Sequence, residues 1–367
     1  MAALLVGAVV RCKVPDLPPG PEPIPTGIGL SRGPIVAIPA GATLDTTALI
    51  ASLKEMKAIT VILQSSATEA GESVSDRVAL AVTLQRELAP NATVLIGTYD
   101  ATAHALNGKP MAALLQPDPT FLICSPGGLA LDPNATLIDK VRLCSQDVGA
   151  KLTAELTRVG ANPAIGCYVP HEPELSDGLD DAGKTKLHEL FRDASSACAG
   201  ANRAVAVAMA LTETSGDPTR AANLLHDALL DTGINRLLLD DGAATFDASA
   251  PTRAVPYYDA LRIAIAGQPV PVQVWADLEA FDCEAPGCAR KHPTNKDRYI
   301  RQLCAARGRV EGIVADEYLH DLAERPLVSG DLDASADLRA IFDDTDAAAQ
   351  LHRGYLDWID AGAPCPR

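Results

Sequence analysis

Eight short apolar runs, each followed by a stretch of helical periodicity, divide this 367-residue chain. The runs are predicted as strands at 34–39, 59–64, 93–99, 164–169, 204–209, 236–240, 271–276 and 312–315. The helices are predicted at about 45–57, 75–88, 137–159, 184–199, 218–230, 255–266, 297–306 and 343–359. This alternation predicts parallel strands with helical crossovers. Eight such units favour a (β/α)8 TIM barrel over an open dinucleotide-binding sheet, and the sequence contains no Gly-x-Gly-x-x-Gly motif.

The regions outside this alternation set the predicted domain limits. Residues 1–30 are predicted to form an N-terminal lead, Pro-rich from Val14 to Pro25, and residues 31–367 a single barrel domain. Met1 to Val10 is apolar and is interpreted as the remnant of an export signal or as an apolar start. Residues 108–133 are interpreted as an insertion beside the barrel mouth. No later run reaches the roughly 18 apolar residues of a membrane span, so no span is predicted.

Composition limits the classes of partner. The formal net charge is -16 and no basic run occurs, which argues against nucleic acid or an anionic membrane as partner. Aromatic residues make up 4% of the chain, which disfavours a long polysaccharide groove and favours a short glycan. Among nine cysteines, Cys283 and Cys288 are close enough to bridge in an oxidising compartment. We therefore expect a periplasmic or secreted bacterial monomer, with no cofactor and no metal.

Carboxylates follow several of the predicted strands. Because residues past the carboxyl ends of barrel strands converge on one face, we expect these acids to share one mouth: Glu172, Asp240, Asp241, Asp277, Glu279, Asp316 and Glu317. Crowding raises the pKa of some carboxyls while others stay ionised, as acid/base catalysis requires. Alternation along a strand places Asp277 and Glu279 on the same side. Glu174, with Asp177, Asp180 and Asp181, is expected in a solvated acidic loop.

Side chains that bind sugars also occur near these acids. His171 is adjacent to Glu172 and is a candidate to tune that carboxyl or bind a hydroxyl. Four aromatic residues fall at predicted strand ends, where a sugar ring could stack on them, although core packing explains Trp275 nearly as well: Tyr99, Tyr168, Trp275 and Tyr318. The candidate substrate-binding residues are these four with His171, Asp241, Asp277 and Glu317.

Several motifs, taken in order, carry a resemblance to known proteins. They are Leu53-Lys54-Glu55-Met56-Lys57 before Val61-Ile62-Leu63-Gln64, Gly166-Cys167-Tyr168-Val169-Pro170-His171-Glu172, Asp241-Gly242, and Trp275-Ala276-Asp277-Leu278-Glu279-Ala280-Phe281. From about residue 34 to 320 the chain resembles an uncharacterised glycosidase-like barrel family, domain of unknown function 4434. It is also similar in pattern to the clan of retaining glycosidases with catalytic Glu on strands four and seven. Cys167 stands where that family has Trp, Asp240 where it often has Gln, and His171 where the clan has Asn.

The resemblance implies that Glu172 is the acid/base and Glu279 the nucleophile of a retaining glycoside hydrolase or transglycosidase. Two alternatives from other classes remain open. One is a metal-dependent barrel enzyme that binds Mg²⁺ through Asp240, Glu279 and Asp316. The other is a catalytically silent barrel that binds carbohydrate or serves as a scaffold.

Overall fold

The computed structural model describes residues 31–38, 43–65, 73–90, 92–98, 109–119, 123–124, 129–169, 173–174, 180–198, 203–211, 216–243, 252–283, 291–316, 318, 322–329 and 345–365. In chain order its strands are β1 (Ser31–Ile38), β2 (Thr43–Leu44), β3 (Thr60–Ser65), β4 (Thr93–Gly97), β5 (Ile123–Cys124), β6 (Leu129–Ala130), β7 (Ile165–Val169), β8 (Val205–Ala210), β9 (Arg236–Asp240), β10 (Gln273–Glu279), β11 (Phe281–Cys283), β12 (Lys291–Pro293), β13 (Gly312–Asp316) and β14 (Val328–Ser329). Its helices are α1 (Thr46–Glu55), α2 (Val74–Leu88), α3 (Met111–Leu114), α4 (Leu137–Arg158), α5 (Asp181–Cys198), α6 (Pro218–Leu229), α7 (Val255–Ile265), α8 (Lys296–Ala306) and α9 (Thr345–Asp360).

Eight of these strands close into a barrel in the order β1, β3, β4, β7, β8, β9, β10 and β13, with β13 pairing back onto β1. Every pairing around the ring is parallel. Helices lie in the connections between the barrel strands, and β13 is followed by β14 and α9. The predicted (β/α)8 barrel is therefore confirmed.

Side-chain caps fix where several helices begin. Asp45 accepts a hydrogen bond from the Ala48 N–H at the start of α1. Ser73 and Asp76 form a reciprocal capping box at the start of α2. Asp217 and Asn295 accept from backbone N–H groups at the starts of α6 and α8. Each cap satisfies a helical N–H that has no partner within the helix, so the predicted helix starts lie close to the observed ones.

Alternation along the barrel strands divides the apolar side chains between two cores. The first lies inside the barrel and contains Ile35, Ile62, Leu95, Tyr168, Ala204, Ala206, Ala208, Leu238, Trp275 and Val314. The second lies between the strands and the helices and is much larger. Consecutive residues of one strand therefore belong to different cores, which identifies the side chains that point into the barrel.

Disulfides hold parts of the outer layer. Cys167 of β7 is bonded to Cys198 at the end of α5, and Cys304 of α8 is bonded to Cys365. Neither pairing was predicted from the sequence, because cysteines 31 and 61 residues apart give no local signal. Cys144 and Cys283 are also disulfide-bonded, and Cys288, the predicted partner of Cys283, lies outside the described residues.

Among the helices that the structure describes, none combines the length and apolar character needed to cross a membrane. The predicted lead of residues 1–30 lies outside the described residues, as do residues 108, 120–122 and 125–128 of the insertion predicted from 108 to 133.

Candidate active site at the carboxyl end of the barrel

Strand β10 carries two carboxylates toward the barrel interior. Trp275 belongs to the core inside the barrel, whereas Val274, Ala276 and Leu278 belong to the outer core. Asp277 and Glu279 are two and four residues beyond Trp275, so they project from the same, inward face. Both are almost completely buried. Glu279 is the last residue of β10 and pairs with Asp316, so the strand extends beyond the predicted end because its ladder with β13 continues.

Three carboxylates gather at this end of the barrel. Asp240 ends β9 and Asp241 follows it, while Glu279 ends the next strand. Oxygen atoms of these three side chains all lie within 4.8 Å of one another. Asp240 is also the register partner of Asp277, which places the acids of β9 and β10 at one level. Of the seven acids predicted to converge, Asp240, Asp241 and Glu279 have side-chain oxygens this close to one another.

The Asp241-Gly242 motif forms a tight turn that holds the cluster. The Asp241 N–H donates to the Asp277 carbonyl at 3.0 Å, so the pairing between the strands extends past β9. The Gly242 N–H donates to Asp240 Oδ1 at 3.0 Å, and the Ala243 N–H donates to Asp241 Oδ1 at 3.1 Å. Gly242 has φ of 57°, in the left-handed region that glycine adopts without strain. The turn therefore fixes both aspartates through their own backbone.

Helix α8 supports the cluster from outside the barrel. Gln302 Nε2 donates to Asp241 Oδ2 at 2.6 Å. Arg298, one helical turn earlier, donates to the carbonyl of Glu279 at 3.0 Å and to that of Phe281. The same guanidinium bonds Thr294 Oγ1 and pairs with Asp282 at 3.0 Å. These buried contacts fix the chain as it leaves β10, and thereby the backbone of Glu279.

Burial and crowding set the protonation state of Asp241. Desolvation, with the neighbouring charge of Glu279 as the second cause, raises the pKa of Asp241 from 3.8 to about 7. The hydrogen bond from Gln302 opposes this rise. Burial also raises the pKa of Tyr258 on α7, and Asp241, Asp240 and Asp277 add to the effect. At neutral pH the site therefore contains a carboxyl that can hold a proton beside one that can carry charge.

The three described aromatic candidates do not form open stacking platforms. Trp275 pairs with Leu238 and Gly312 near the amino end of β10, beneath the carboxylates, and its ring lies 5.4 Å from the Arg236 guanidinium. Tyr168 is enclosed in the same interior core. Tyr318 is fully buried, with its hydroxyl 2.5 Å from Ser52 Oγ of α1. Each ring fills space within the protein, so core packing, the alternative given for Trp275, accounts for the positions of all three.

Four candidates lie outside the described residues: Tyr99, His171, Glu172 and Glu317. The residues that flank His171 and Glu172 are described. Val169 ends β7, and the Pro173 carbonyl accepts from the N–H of Ala210, the register partner of Asp240. Both flanks therefore lie at the end of the barrel that holds the cluster.

Glu174 differs from its expected setting. It is 5% exposed and forms a β-bridge to Ala210 of β8. Its N–H donates a hydrogen bond to the Lys109 carbonyl at 3.2 Å. The predicted solvated setting is therefore wrong at this position, because the backbone of Glu174 bridges to β8 and the residue is buried there. A bridge of one residue gives no periodic signal in the sequence.

The acids with close oxygens differ from the ligands named for the alternative Mg²⁺ enzyme, Asp240, Glu279 and Asp316. Asp316 pairs with Glu279 across the strands, but the described group with mutually close oxygens contains Asp241 in its place. Tyr258, Arg298 and Gln302 were not predicted. The spacing of Arg298 and Gln302, four apart on one helical face, was the available signal.

No family model matches the sequence, and no curated protein matches it. Among solved structures, the chain is similar to a GH18 chitinase from Pseudoalteromonas aurantia at 12% identity and a TM-score of 0.43, covering 77% of this chain and 93% of that chain. A D-allulose 3-epimerase from Methylomonas sp. gives 11% identity and a TM-score of 0.44, over 93% and 100% of the two chains. The PgaB (BpsB) glycoside hydrolase domain from Bordetella bronchiseptica gives 12% identity and a TM-score of 0.41, covering 88% of this chain and 99% of that chain. Likenesses this weak carry no argument about chemistry, and the fold stands on the strand pairing itself.

Proposed function

We propose that this protein is a retaining glycoside hydrolase or transglycosidase that acts on a short glycan. The observation that carries the proposal is the position of Glu279: a buried carboxylate, facing into the barrel at its carboxyl end, within 4.8 Å of Asp240 and Asp241. Catalytic groups of barrel enzymes lie at this end. A second carboxylate, Glu172, belongs to a segment whose flanks are held at the same end.

The proposed reaction has two displacements. A Glu279 oxygen attacks the anomeric carbon while Glu172 gives its proton to the leaving oxygen, so that the glycosidic bond breaks and a glycosyl ester forms. Water then attacks the same carbon, loses its proton to Glu172 and releases Glu279. An acceptor hydroxyl in place of water gives transglycosylation. The balance of atoms and protons requires no other reactant.

Asp241 is a positioning residue in this scheme. With a pKa raised to about 7, it can stay protonated while its neighbour acts as a nucleophile. Asp277, on the inward face beneath Glu279, is proposed to bind substrate hydroxyls, and the same role is proposed for His171. The buried positions of Tyr168, Trp275 and Tyr318 leave polar groups as the main proposed sugar contacts.

A panel of activated aryl glycosides tests this function, with Glu279→Gly and Glu172→Gly variants. The wild type is expected to hydrolyse at least one sugar of the panel with retention. Both variants should lose at least ~10³-fold in turnover, since each removes a group that acts in the transition state. Azide should restore Glu279→Gly and yield the glycosyl azide of inverted configuration. Glu87→Gln on α2 is the matched control, because Glu87 is exposed on the outer surface and pairs with Lys54.

Full turnover by Glu279→Gly would overturn the role of that residue. Binding of oligosaccharides by the wild type and by Glu279→Gln, with turnover in neither, would instead favour the silent carbohydrate-binding barrel.

The acid cluster also supports a second candidate, a Mg²⁺-dependent barrel enzyme. Asp240, Asp241 and Glu279 offer three hard oxygen ligands within 4.8 Å of one another. In that enzyme Glu279 would be a ligand and not a nucleophile. Dialysis against a chelator separates the two: activity that disappears and returns with Mg²⁺ favours the metal enzyme, and unchanged activity favours the glycosidase.

We also propose an extracytoplasmic location and a monomeric state. The bonds Cys167–Cys198 and Cys304–Cys365 support the location, since stable disulfides form in oxidising compartments. Light scattering of the purified protein tests the monomer, with a mass near 38.3 kDa expected and twice that mass contradicting it.

A further inference from the structure

Three potential metal ligands come together from the first helix, the last helix and the segment 322–329. Glu55 ends α1, His352 belongs to α9, and Glu324 lies in the segment 322–329 that follows the last barrel strand. Each offers one ligand atom, and these atoms all lie within 4.8 Å of one another. The group is separate from the carboxylates of the mouth and shares no residue with them.

The environment of His352 defines which ring nitrogen is available. The side chain is 0% exposed, and Nδ1 lies 2.9 Å from the Leu322 carbonyl oxygen. A carbonyl only accepts, so this contact assigns the ring proton to Nδ1 and leaves a lone pair on Nε2. Nε2 is buried and has no hydrogen-bond partner among the residues that the structure describes. Metal-binding histidines have this arrangement, with the second nitrogen bonded to a carbonyl that fixes the ring.

The two carboxylates are also available. In the described part of the chain, neither Glu55 nor Glu324 forms an ion pair or a hydrogen bond. Both are exposed, so a metal ion can reach them from solvent. One oxygen of each carboxylate and one ring nitrogen of His352 lie within 4.8 Å of one another, and Nε2 is the ring nitrogen that has no hydrogen-bond partner in the described part of the chain.

We propose that Glu55, Glu324 and His352 bind one divalent transition-metal ion, with Zn²⁺ the best match. One imidazole nitrogen with two carboxylate oxygens suits Zn²⁺ better than Ca²⁺ or Mg²⁺, which take oxygen ligands. Three protein ligands leave a fourth position for water.

The site would join parts of the chain that close the barrel. The segment 322–329 is already tied to the start of α1, since the Asp45 N–H donates to the Leu327 carbonyl at 2.8 Å and Val328 pairs with Leu44. A metal on Glu324 would add a bond from this segment to the other end of α1 and to α9. Because it binds the folded chain and not the unfolded one, it stabilises the fold.

Zinc titration of untagged, chelator-treated protein tests the proposal by calorimetry and by thermal unfolding. The wild type should bind one equivalent of Zn²⁺ and gain a few degrees in Tm. The variant Glu55→Gln/Glu324→Gln should lose at least tenfold in affinity, together with the Tm gain. Both substituted side chains are exposed, so this variant is expected to fold, whereas replacement of buried His352 risks the fold.

Two matched controls make the outcome decisive. Glu87→Gln changes an exposed acid elsewhere, and Asp240→Asn/Glu279→Gln removes two members of the mouth cluster; both should keep the wild-type Zn²⁺ affinity. Zinc binding that survives Glu55→Gln/Glu324→Gln, or that is absent from the wild type, would overturn the proposal. Zinc binding lost only in the mouth variant would assign the ion to that cluster and also overturn it, whatever the glycosidase assays give.

Discussion

At the scale of single residues, the Asp241 and Glu279 pair sets the chemistry of the mouth. Asp241 is 2% exposed and Glu279 is 3% exposed, and their oxygens lie within 4.8 Å of each other. Ionisation of both carboxylates is unfavourable because they are close together and buried from water. The pair therefore favours one proton at neutral pH, held on Asp241.

We expect this proton to make stability depend on pH. The pKa of Asp241 is about 7 in the folded protein and near 3.8 in an unfolded chain, so between these values the folded form holds a proton that the unfolded form has lost. The stabilisation is fully present below the unfolded pKa of 3.8 and is lost as pH rises through the folded pKa of about 7. Over this range the free energy of unfolding falls by up to about 1.4 kcal/mol per pH unit. Asp241→Asn, neutral throughout, should flatten this slope in urea unfolding between pH 5 and pH 8.

Glu279→Gln provides the matched comparison. It removes the second cause of the raised pKa of Asp241, so the steep part of the plot of unfolding free energy against pH should move to lower pH. If these plots are parallel for the wild type and Asp241→Asn, Asp241 is not the group that holds the proton.

The inward acids were predictable from sequence, and their supports were not. Asp277 and Glu279 follow from alternation along one strand, a rule with a period of two. Glu174, Tyr258, Arg298 and Gln302 are buried beside or behind the site through contacts between distant elements. Glu174 and Tyr258 carry no pattern of their own, and the four-residue spacing of Arg298 and Gln302 indicates one helical face but not that this face packs against the site.

At the scale of elements, β10 and β13 depend on each other through Trp275 and Gly312. The two residues are register partners, and a Cβ on Gly312 would lie 2.4 Å from the Trp275 ring. The indole is enclosed in the interior core, so it cannot move aside freely. Because the Trp275 ring occupies the space where a side chain at position 312 would lie, this position requires glycine. The pair sets how closely the two strands approach.

Gly312→Ala should lower the free energy of unfolding by about 2–3 kcal/mol, the usual cost of overpacking a core. Denaturant unfolding measures this loss. In a background of Trp275→Leu, which removes the ring, the same substitution should cost less than about 1 kcal/mol. An equal cost in both backgrounds would rule out the ring as the cause.

Strand β7 presents its side chains to two different layers. The side chain of Cys167 belongs to the outer core and is bonded to Cys198 of α5. It therefore lies in the layer between strand and helix, and the inward face is left to Gly166 and Tyr168. A Cβ on Gly166 would lie 2.0 Å from the Ala204 carbonyl oxygen, so this position requires glycine.

At the scale of the whole molecule, the barrel was the most predictable feature. Eight alternating strand and helix units leave few alternatives, and the observed strands lie within about three residues of the predicted ones. The short pairs β2 with β14 and β11 with β12 were not predicted, because two or three residues carry no periodic signal. The disulfides were missed for the related reason that their partners are remote in sequence.

The two described disulfides should differ in their reactivity. Cys167 and Cys198 are fully buried, whereas Cys365 is exposed and Cys304 is partly exposed. A mild reductant under native conditions should therefore open Cys304–Cys365 first, and Tm should fall because a loop of 61 residues, worth about 4 kcal/mol by chain entropy, is released. Differential alkylation with mass spectrometry identifies the freed thiols. Equal labelling of Cys167 and Cys198 at the same times would contradict the expected order.

The nucleophile of the mouth can be tested most directly by trapping. A 2-deoxy-2-fluoro glycoside with a good leaving group, matched to the sugar that the wild type hydrolyses, slows release of the glycosyl ester so that it accumulates. We expect the protein mass to rise by one fluoroglycosyl unit, and peptide mapping to place that unit on Glu279. A label on any other residue, or a product of inverted configuration from the natural reaction, would contradict the proposed function.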